Sequence, residues 1–565
     1  MSKHTKIKII IGAVLLVILA VALLLMFGNK QPKENLERVP VSYNVPEDEA
    51  LLILENVIYE KNAIKRGESL YIPYALVKEK LNDGFYDDED EADLTLTYVL
   101  PREIIRITPD KKYYMSNDER MYTKDPVYIN ENDVYYMELS FLARLSDMRY
   151  EYYTDPERVI VHYEWNDFLY YEMQDETPVH LFPEVTSGVT MTLQSGTKAY
   201  YIGGYGNGKN DFVKIMTSDG LFGYVQRKHI GNSKHEYQAS SFTEPEENHL
   251  LYDEKVKLGW WYVASKSGNL TYDECTRNIK GMMNVLSPTW ISLADNDGHI
   301  NSFADQKYVG RAHADGFKVW ILVDFPDGVV SPHQNLSRNS ARDLLISNII
   351  DETLAVGADG VNIDFEALSV QTGVHFVQFI KELSVRCHNA GLVLSVDNLV
   401  PTAITAHYDI ESQAEFADYI VVMTYDEHYA ASKEAGSVAS IGFVRDSITN
   451  TAKVCDRSRI IMGLPFYTRL WKTTDSGVTS EVYSITAMEK FIKKNDLKPE
   501  WDPVTCQNYI EYLKNNAKYQ MWCEDSTSIS YKCADAVSGE LGGVAAWRLG
   551  LENPDIWSII DQYIK

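Results

Sequence analysis

The run Asp359-Gly360-Val361-Asn362-Ile363-Asp364-Phe365-Glu366 sets three acids and an amide into a short apolar stretch that follows a helix-like segment ending at Gly357. Side chains alternate along a strand, so Asn362, Asp364 and Glu366 share one face while Val361, Ile363 and Phe365 share the other. Such a strand packs its bulky face on helices and opens its polar end to a pocket, as an inner barrel strand does near its catalytic end. Asp364 and Glu366 stand on the order of 6–7 Å apart at a rise of about 3.3 Å per residue. Two carboxylates that close raise one another's pKa, so one can hold a proton at neutral pH and donate it. Acid catalysis is the chemistry this spacing suits. Clustered carboxylates also suit a hard divalent cation, and the same pattern occurs on a solvated edge strand.

Two further runs supply context. Ala417-Asp418-Tyr419-Ile420-Val421-Val422-Met423-Thr424-Tyr425-Asp426 is a buried strand ending in polar groups, and Gly542-Gly543-Val544-Ala545-Ala546-Trp547 is a last strand ending in a large aromatic. With these three runs in this order, the region of roughly 250–565 resembles family 18 glycoside hydrolases, the chitinase-like fold. That family carries Asp-Gly-x-Asp-x-Asp-x-Glu on its fourth barrel strand, Met-x-Tyr-Asp on its sixth and a Trp closing its eighth. Asn362 departs from the pattern, standing where the family has the first Asp of its triplet. The Asn variant is similar to the branch of spore-cortex and peptidoglycan hydrolases.

The resemblance implies a substrate-assisted reaction in which the substrate's own N-acetyl carbonyl attacks the anomeric carbon. Glu366 is then the acid and later the base, Asp364 orients the acetamido group, and Tyr425 donates to its carbonyl. Asn362, Asp359, Met423, Asp426, Trp547, Trp290 and Tyr262 are expected to bind substrate, with Trp547 flooring the reacting sugar. Tyr262 and Trp290, with Trp260 and Asp397, are the weaker pocket candidates, for which structural roles come first. With a neutral amide at 362, Asp364 is expected to lose a like-charged neighbour and stay ionised to lower pH. No metal or organic cofactor is implied. The favoured substrate is a β-1,4-linked N-acetylglucosamine polymer, peptidoglycan or spore cortex ahead of chitin. A sugar-binding scaffold that has lost turnover is the alternative, and the presence of Glu366 weighs against it.

The formal charge of −27 over 565 residues argues against nucleic acid as a partner, since phosphates would be repelled. Residues Ile9 to Phe27 are apolar and would span about 28 Å as a helix, close to the hydrocarbon thickness of a bilayer. Lys3, Lys6 and Lys8 precede them, which orients the N-terminus to the cytoplasm and the remainder outside as an uncleaved signal anchor. Six cysteines, all from Cys275 onward, form no Cys-x-x-Cys pair, so zinc is not indicated. Cys506, Cys523 and Cys533 are near enough in sequence to bridge, and Cys387 reads as a buried thiol.

Along the chain, 1–30 reads as cytoplasmic tail and anchor and 31–50 as a linker. Residues 51–165 form an α+β unit similar to the N-terminal domain of copper amine oxidases, without a His cluster for copper. Residues 175–232, rich in short strands and Gly turns, resemble a bacterial SH3-like domain, a module expected to bind cell wall or to act as a spacer. An acidic linker over 233–250 leads into strand–helix alternation over 251–565, the pattern of a (β/α)8 TIM barrel. An insertion is expected around 471–532, between strands seven and eight.

Overall fold

Apolar runs separated by helices close into a cylinder because each parallel strand needs a crossover of helix length, and helices then cover the outer faces. In the computed structural model the strands are β1 (Val256–Trp261), β2 (Val285–Leu293), β3 (Lys318–Asp324), β4 (Gly360–Ile363), β5 (Val393–Asn398), β6 (Tyr419–Val422), β7 (Ile460–Pro465) and β8 (Gly543–Trp547). Each pairs in parallel with its successor, and β8 pairs with β1, so the sheet is a closed eight-stranded parallel barrel. The structure describes residues 14–19, 21–22, 34–88, 94–205, 211–246, 249–326 and 328–565.

Helices α1 (Asn339–Val356) and α2 (Gly373–Ala390) flank β4 in sequence, and each ends on a left-handed glycine, Gly357 at φ 75° and Gly391 at φ 72°. Glycine meets that conformation without a Cβ penalty, which stops the helix and turns the chain into the next strand. The apolar face of the motif packs as its alternation requires: Val361, Ile363 and Phe365 are at most 1% exposed, and Phe365 stacks on Phe379 of α2 at 5.6 Å. Between β7 and β8 lies an antiparallel five-stranded sheet, Tyr467–Thr474 to Ala517–Cys523, with a helix over Ile485–Lys494.

The chain divides into two compact units, 1–83 with 125–243 and 84–124 with 244–565. The boundary differs from the continuous 51–165 unit of the sequence reading. Residues 84–124 form their own five-stranded antiparallel sheet, Tyr86–Asp87 through Glu119–Tyr122, which belongs with the barrel. Charge explains it. Arg342 of α1 is fully buried and pairs with Asp88 at 3.0 Å and Glu382 at 2.8 Å, while Arg106 reaches Glu382 at 3.0 Å and Asp343 at 2.9 Å. Isolated hydrophobic periodicity carries no trace of such a network.

In the other unit, strands from Glu49–Leu54 to Arg158–His162 make one mixed sheet. Strands from Asp167–Glu172 to Lys234–Tyr237 make a second, seven-stranded antiparallel sheet around Tyr171, Val179, Val213, Ile215 and Val225. All six cysteines are free thiols and five are buried, so the suggested bridge among Cys506, Cys523 and Cys533 does not form. Most of Ile9–Phe27 lies outside the described residues. Among those that are described, no helix is long and apolar enough to cross a membrane.

Candidate active site

Asn362 sits inside the barrel with no exposure, and its amide is saturated. Its Oδ1 accepts from Trp260 Nε1 at 2.9 Å and Ser287 Oγ at 3.1 Å; its Nδ2 donates to Ser395 Oγ at 3.1 Å and Asp397 Oδ1 at 2.7 Å. An indole N–H only donates, so Trp260 fixes which end of the amide faces it and turns the nitrogen to Asp397. Three strands besides β4 thus meet at one side chain.

One step further, the Asp364 amide extends the ladder to Val323 O at 2.9 Å. Its side chain enters a pocket of about 670 Å³ at the C-terminal end of the barrel, shared with Glu366, Asp397, Met423, Tyr425, Asp426, Trp260 and Trp547. Glu366 is exposed to that pocket, and the backbone turns directly after it through Ala367 at φ 53°. A left-handed alanine is uncommon and marks a backbone held by its surroundings. No Lys, Arg or His is among the described residues that line the cavity.

The electrostatics follow from that composition. Burial first, then the charges of Asp397, Glu366 and Asp324, push Asp364 well above the usual carboxylate range. One of its oxygens, Oδ1, is out of solvent contact and without a hydrogen-bond partner among the described residues. Burial also raises Asp397, against the lowering effect of the Asn362 hydrogen bond. Burial alone raises Asp324, at the end of β3, to about 6. Tyr425 is raised by burial and stays a neutral donor. Asp364 is thus raised even with an amide at 362. The like-charged neighbour is present, on β5 instead of β4.

Other sequence-picked residues fall elsewhere. Asp359 lies at the opposite end of β4, where it accepts from Val319 N at 2.9 Å and pairs with His313 at 2.7 Å and Lys318 at 3.0 Å; it closes the barrel floor and does not reach the pocket. Trp290 is 1% exposed, donates to Asn269 Oδ1 at 2.8 Å and packs on Tyr308 in the outer core. Tyr262 is 53% exposed, with the Arg548 guanidinium 5.2 Å from its ring centroid, outside the pocket lining. Asp426 accepts from Tyr467 at 2.7 Å. Two groups escaped the sequence reading, Asp324 and Tyr467. An acid closing a barrel strand at its C-terminal end was the available signal for the first; nothing pointed to the second.

Residues 288–552 match the model of the glycosyl hydrolases family 18. That match supports a glycosidase of the family 18 type. The family's enzymes act on N-acetylglucosamine-containing polymers. The chain is 26% identical over 298 residues to the uncharacterized glycosylase YvbX of Bacillus subtilis, covering 50% of this chain and 85% of that one. It is 26% identical over 238 residues to the cortical fragment-lytic enzyme of the same organism, covering 40% of this chain and 55% of the relative. The spore cortex-lytic enzyme of Bacillus cereus shares the fold at a TM-score of 0.50 and 18% identity, over 60% of this chain and 79% of that one. The cortical fragment-lytic enzyme is thus matched over little more than half its length. Among the described residues no cluster of three or more His, Cys, Asp or Glu side chains has the geometry of a metal site.

Proposed function

We propose that this glycosidase cleaves β-1,4-linked N-acetylglucosamine-containing polymers with retention, by substrate assistance, and that its substrate is peptidoglycan or spore cortex. The observation that carries the reading is the pairing of an exposed Glu366 with a desolvated Asp364 in a pocket that Tyr425 and Trp547 also line. A desolvated acid cluster favours a positive charge developing in its midst, as an oxazolinium ion would supply.

Glu366 gives its proton to the glycosidic oxygen as the C1–O bond breaks, and the acetamido carbonyl oxygen bonds to C1 in the same displacement. The Asp364 carboxylate accepts from the acetamido N–H, and the Tyr425 hydroxyl donates to the acetamido oxygen. Water then bonds to C1 from the vacated side and yields a proton to the Glu366 carboxylate, which restores the acid. Trp547, packed edge-on against Trp260 at 5.9 Å, offers its face to the sugar.

The surrounding chain is read as delivery to the wall. The apolar Ile9–Phe27 segment would anchor it by a single pass with the later domains outside the cell membrane, 51–83 with 125–165 would act as a stalk similar to the copper amine oxidase N-terminal domain, and 175–232 would engage the cell wall as an SH3-like module. Incubating the protein with purified peptidoglycan, spore cortex and N-acetylglucosamine oligomers, and identifying new reducing ends by mass, tests the substrate. Cleavage confined to the chitin-type oligomers would replace the wall polymer with chitin.

A further inference from the structure

We propose that Asp397 is a positioning residue that shares a single proton with Asp364 across the seam between β4 and β5, and takes that proton when a substrate acetamido group is seated. The proposal rests on the substrate-assisted reading above. Its geometric basis is register. Asn362 stands beside Ser395 and Ile363 beside Val396, so the next step along both parallel strands sets Asp364 beside Asp397, about 4.8 Å away backbone to backbone. Both side chains line the same pocket.

The groups facing this pair come from several neighbouring elements: Trp260 on β1, Asp324 on β3, Asn362 and Glu366 on and after β4, Tyr408 after β5 and Tyr425 beyond β6. None of them is a cation. Two negative charges at such a seam are mutually costly, and the pair holds one proton between them. Asn362 decides where that proton rests. Its Nδ2 donates to Asp397 Oδ1 at 2.7 Å, which favours the carboxylate on Asp397. The proton therefore rides on Asp364, whose sealed Oδ1 has no other partner among the described residues.

Seating the acetamido N–H against Asp364 reverses the preference. The Asp364 O–H bond breaks, an Asp397 O–H bond forms, and the pair keeps a net charge of −1 throughout. Asp364 is then a carboxylate when the cyclised intermediate turns positive. The chain thus keeps the acid pair that an amide at 362 removes from one strand, by placing the second acid on the next.

The test uses the full chain with Asp397→Asn, Asn362→Asp and the exchange Asn362→Asp/Asp397→Asn, reading kcat and KM against pH on one N-acetylated oligosaccharide. Infrared counting of protonated carboxyls at neutral pH gives a readout independent of turnover. Asp397→Asn should lower kcat about 10–100-fold with KM within about threefold, move the acidic limb to lower pH and remove one protonated carboxyl. The exchange variant returns an acid to the seam from the other strand, and should recover about tenfold in kcat and shift the limb back up. A purely structural Asp397 would give no such recovery. An Asp397→Asn protein with a superimposable profile and an unchanged carboxyl count overturns the proposal, as does a folded exchange variant no better than the single one. Should Asp397→Asn fail to fold, the exchange variant alone decides by the same two readouts. Inversion by the wild type would defeat the substrate-assisted reading, while the infrared count would still decide the shared proton.

Discussion

Tyr467 donates a 2.7 Å hydrogen bond to Asp426 Oδ1, and so ties the first strand of the β7–β8 insertion to the rim of the catalytic pocket. Asp426 itself sits at φ 58°, a left-handed position that an acid tolerates better than most residues. The tyrosine ring also meets Tyr425 edge-on at 6.2 Å. The insertion is therefore part of the site's scaffold. Tyr467→Phe should release the Asp426 carboxylate and lower kcat/KM about 10-fold, chiefly through KM, given the ~1.5–3 kcal/mol worth of a hydrogen bond to a charged group. Steady-state kinetics on an N-acetylated oligosaccharide checks it; an effect confined to kcat would place Asp426 in the chemistry instead.

Asp324 gives a stability prediction with a definite sign. Its folded pKa, raised by burial to about 6, lies above its ordinary value of 3.8, so the unfolded chain releases this proton first. Stability from this group therefore falls as pH rises from about 4 to about 6. Asp324→Asn should flatten that decline and leave the variant more stable than wild type at neutral pH, by at most about 3 kcal/mol. Denaturant melts at several pH values measure it, and parallel curves for the two proteins would disprove it.

The buried network beneath the 84–124 sheet predicts the opposite direction. Arg342→Met leaves Asp88 and Glu382 without their shared cation, and should cost about 3–5 kcal/mol. Asp88, already raised to about 6 by burial, should then stay protonated to higher pH. A thermal shift of only a degree or two would show the network to be dispensable.

The barrel itself was legible in the sequence because its strands are continuous apolar runs of parallel-sheet type, with Asp364 and Glu366 fixed by alternation on one of them. What periodicity cannot carry is pairing between distant segments. Residues 84–124 alternate as strands do whether they join their sequence neighbours or the barrel, and the decision rests on Arg342 and Glu382, far along the chain. Asp397 was underrated for the same reason. A single acid in Val393–Asn398 gains meaning only once register sets it beside Asp364. Asp359 erred the other way, since an acid beside a barrel strand can close the floor as readily as it lines the pocket, while Trp290 takes the structural role put first for it.

Glu366→Gln removes the only proton donor the mechanism assigns to the leaving oxygen while keeping the side chain's shape. Turnover should fall about 10²–10⁴-fold with oligosaccharide binding retained. Near-normal turnover in the folded variant would mean that another group donates the proton.

The most direct measurement is the anomeric configuration of the first product, followed by proton NMR from the start of hydrolysis of a β-1,4-linked N-acetylglucosamine oligomer. Attack by the substrate's own acetamido oxygen, with Asp364 against its N–H, gives two displacements at C1, so the β-anomer should appear first and mutarotate afterwards. Initial formation of the α-anomer would mean a single displacement by water, and would contradict the role assigned to Asp364.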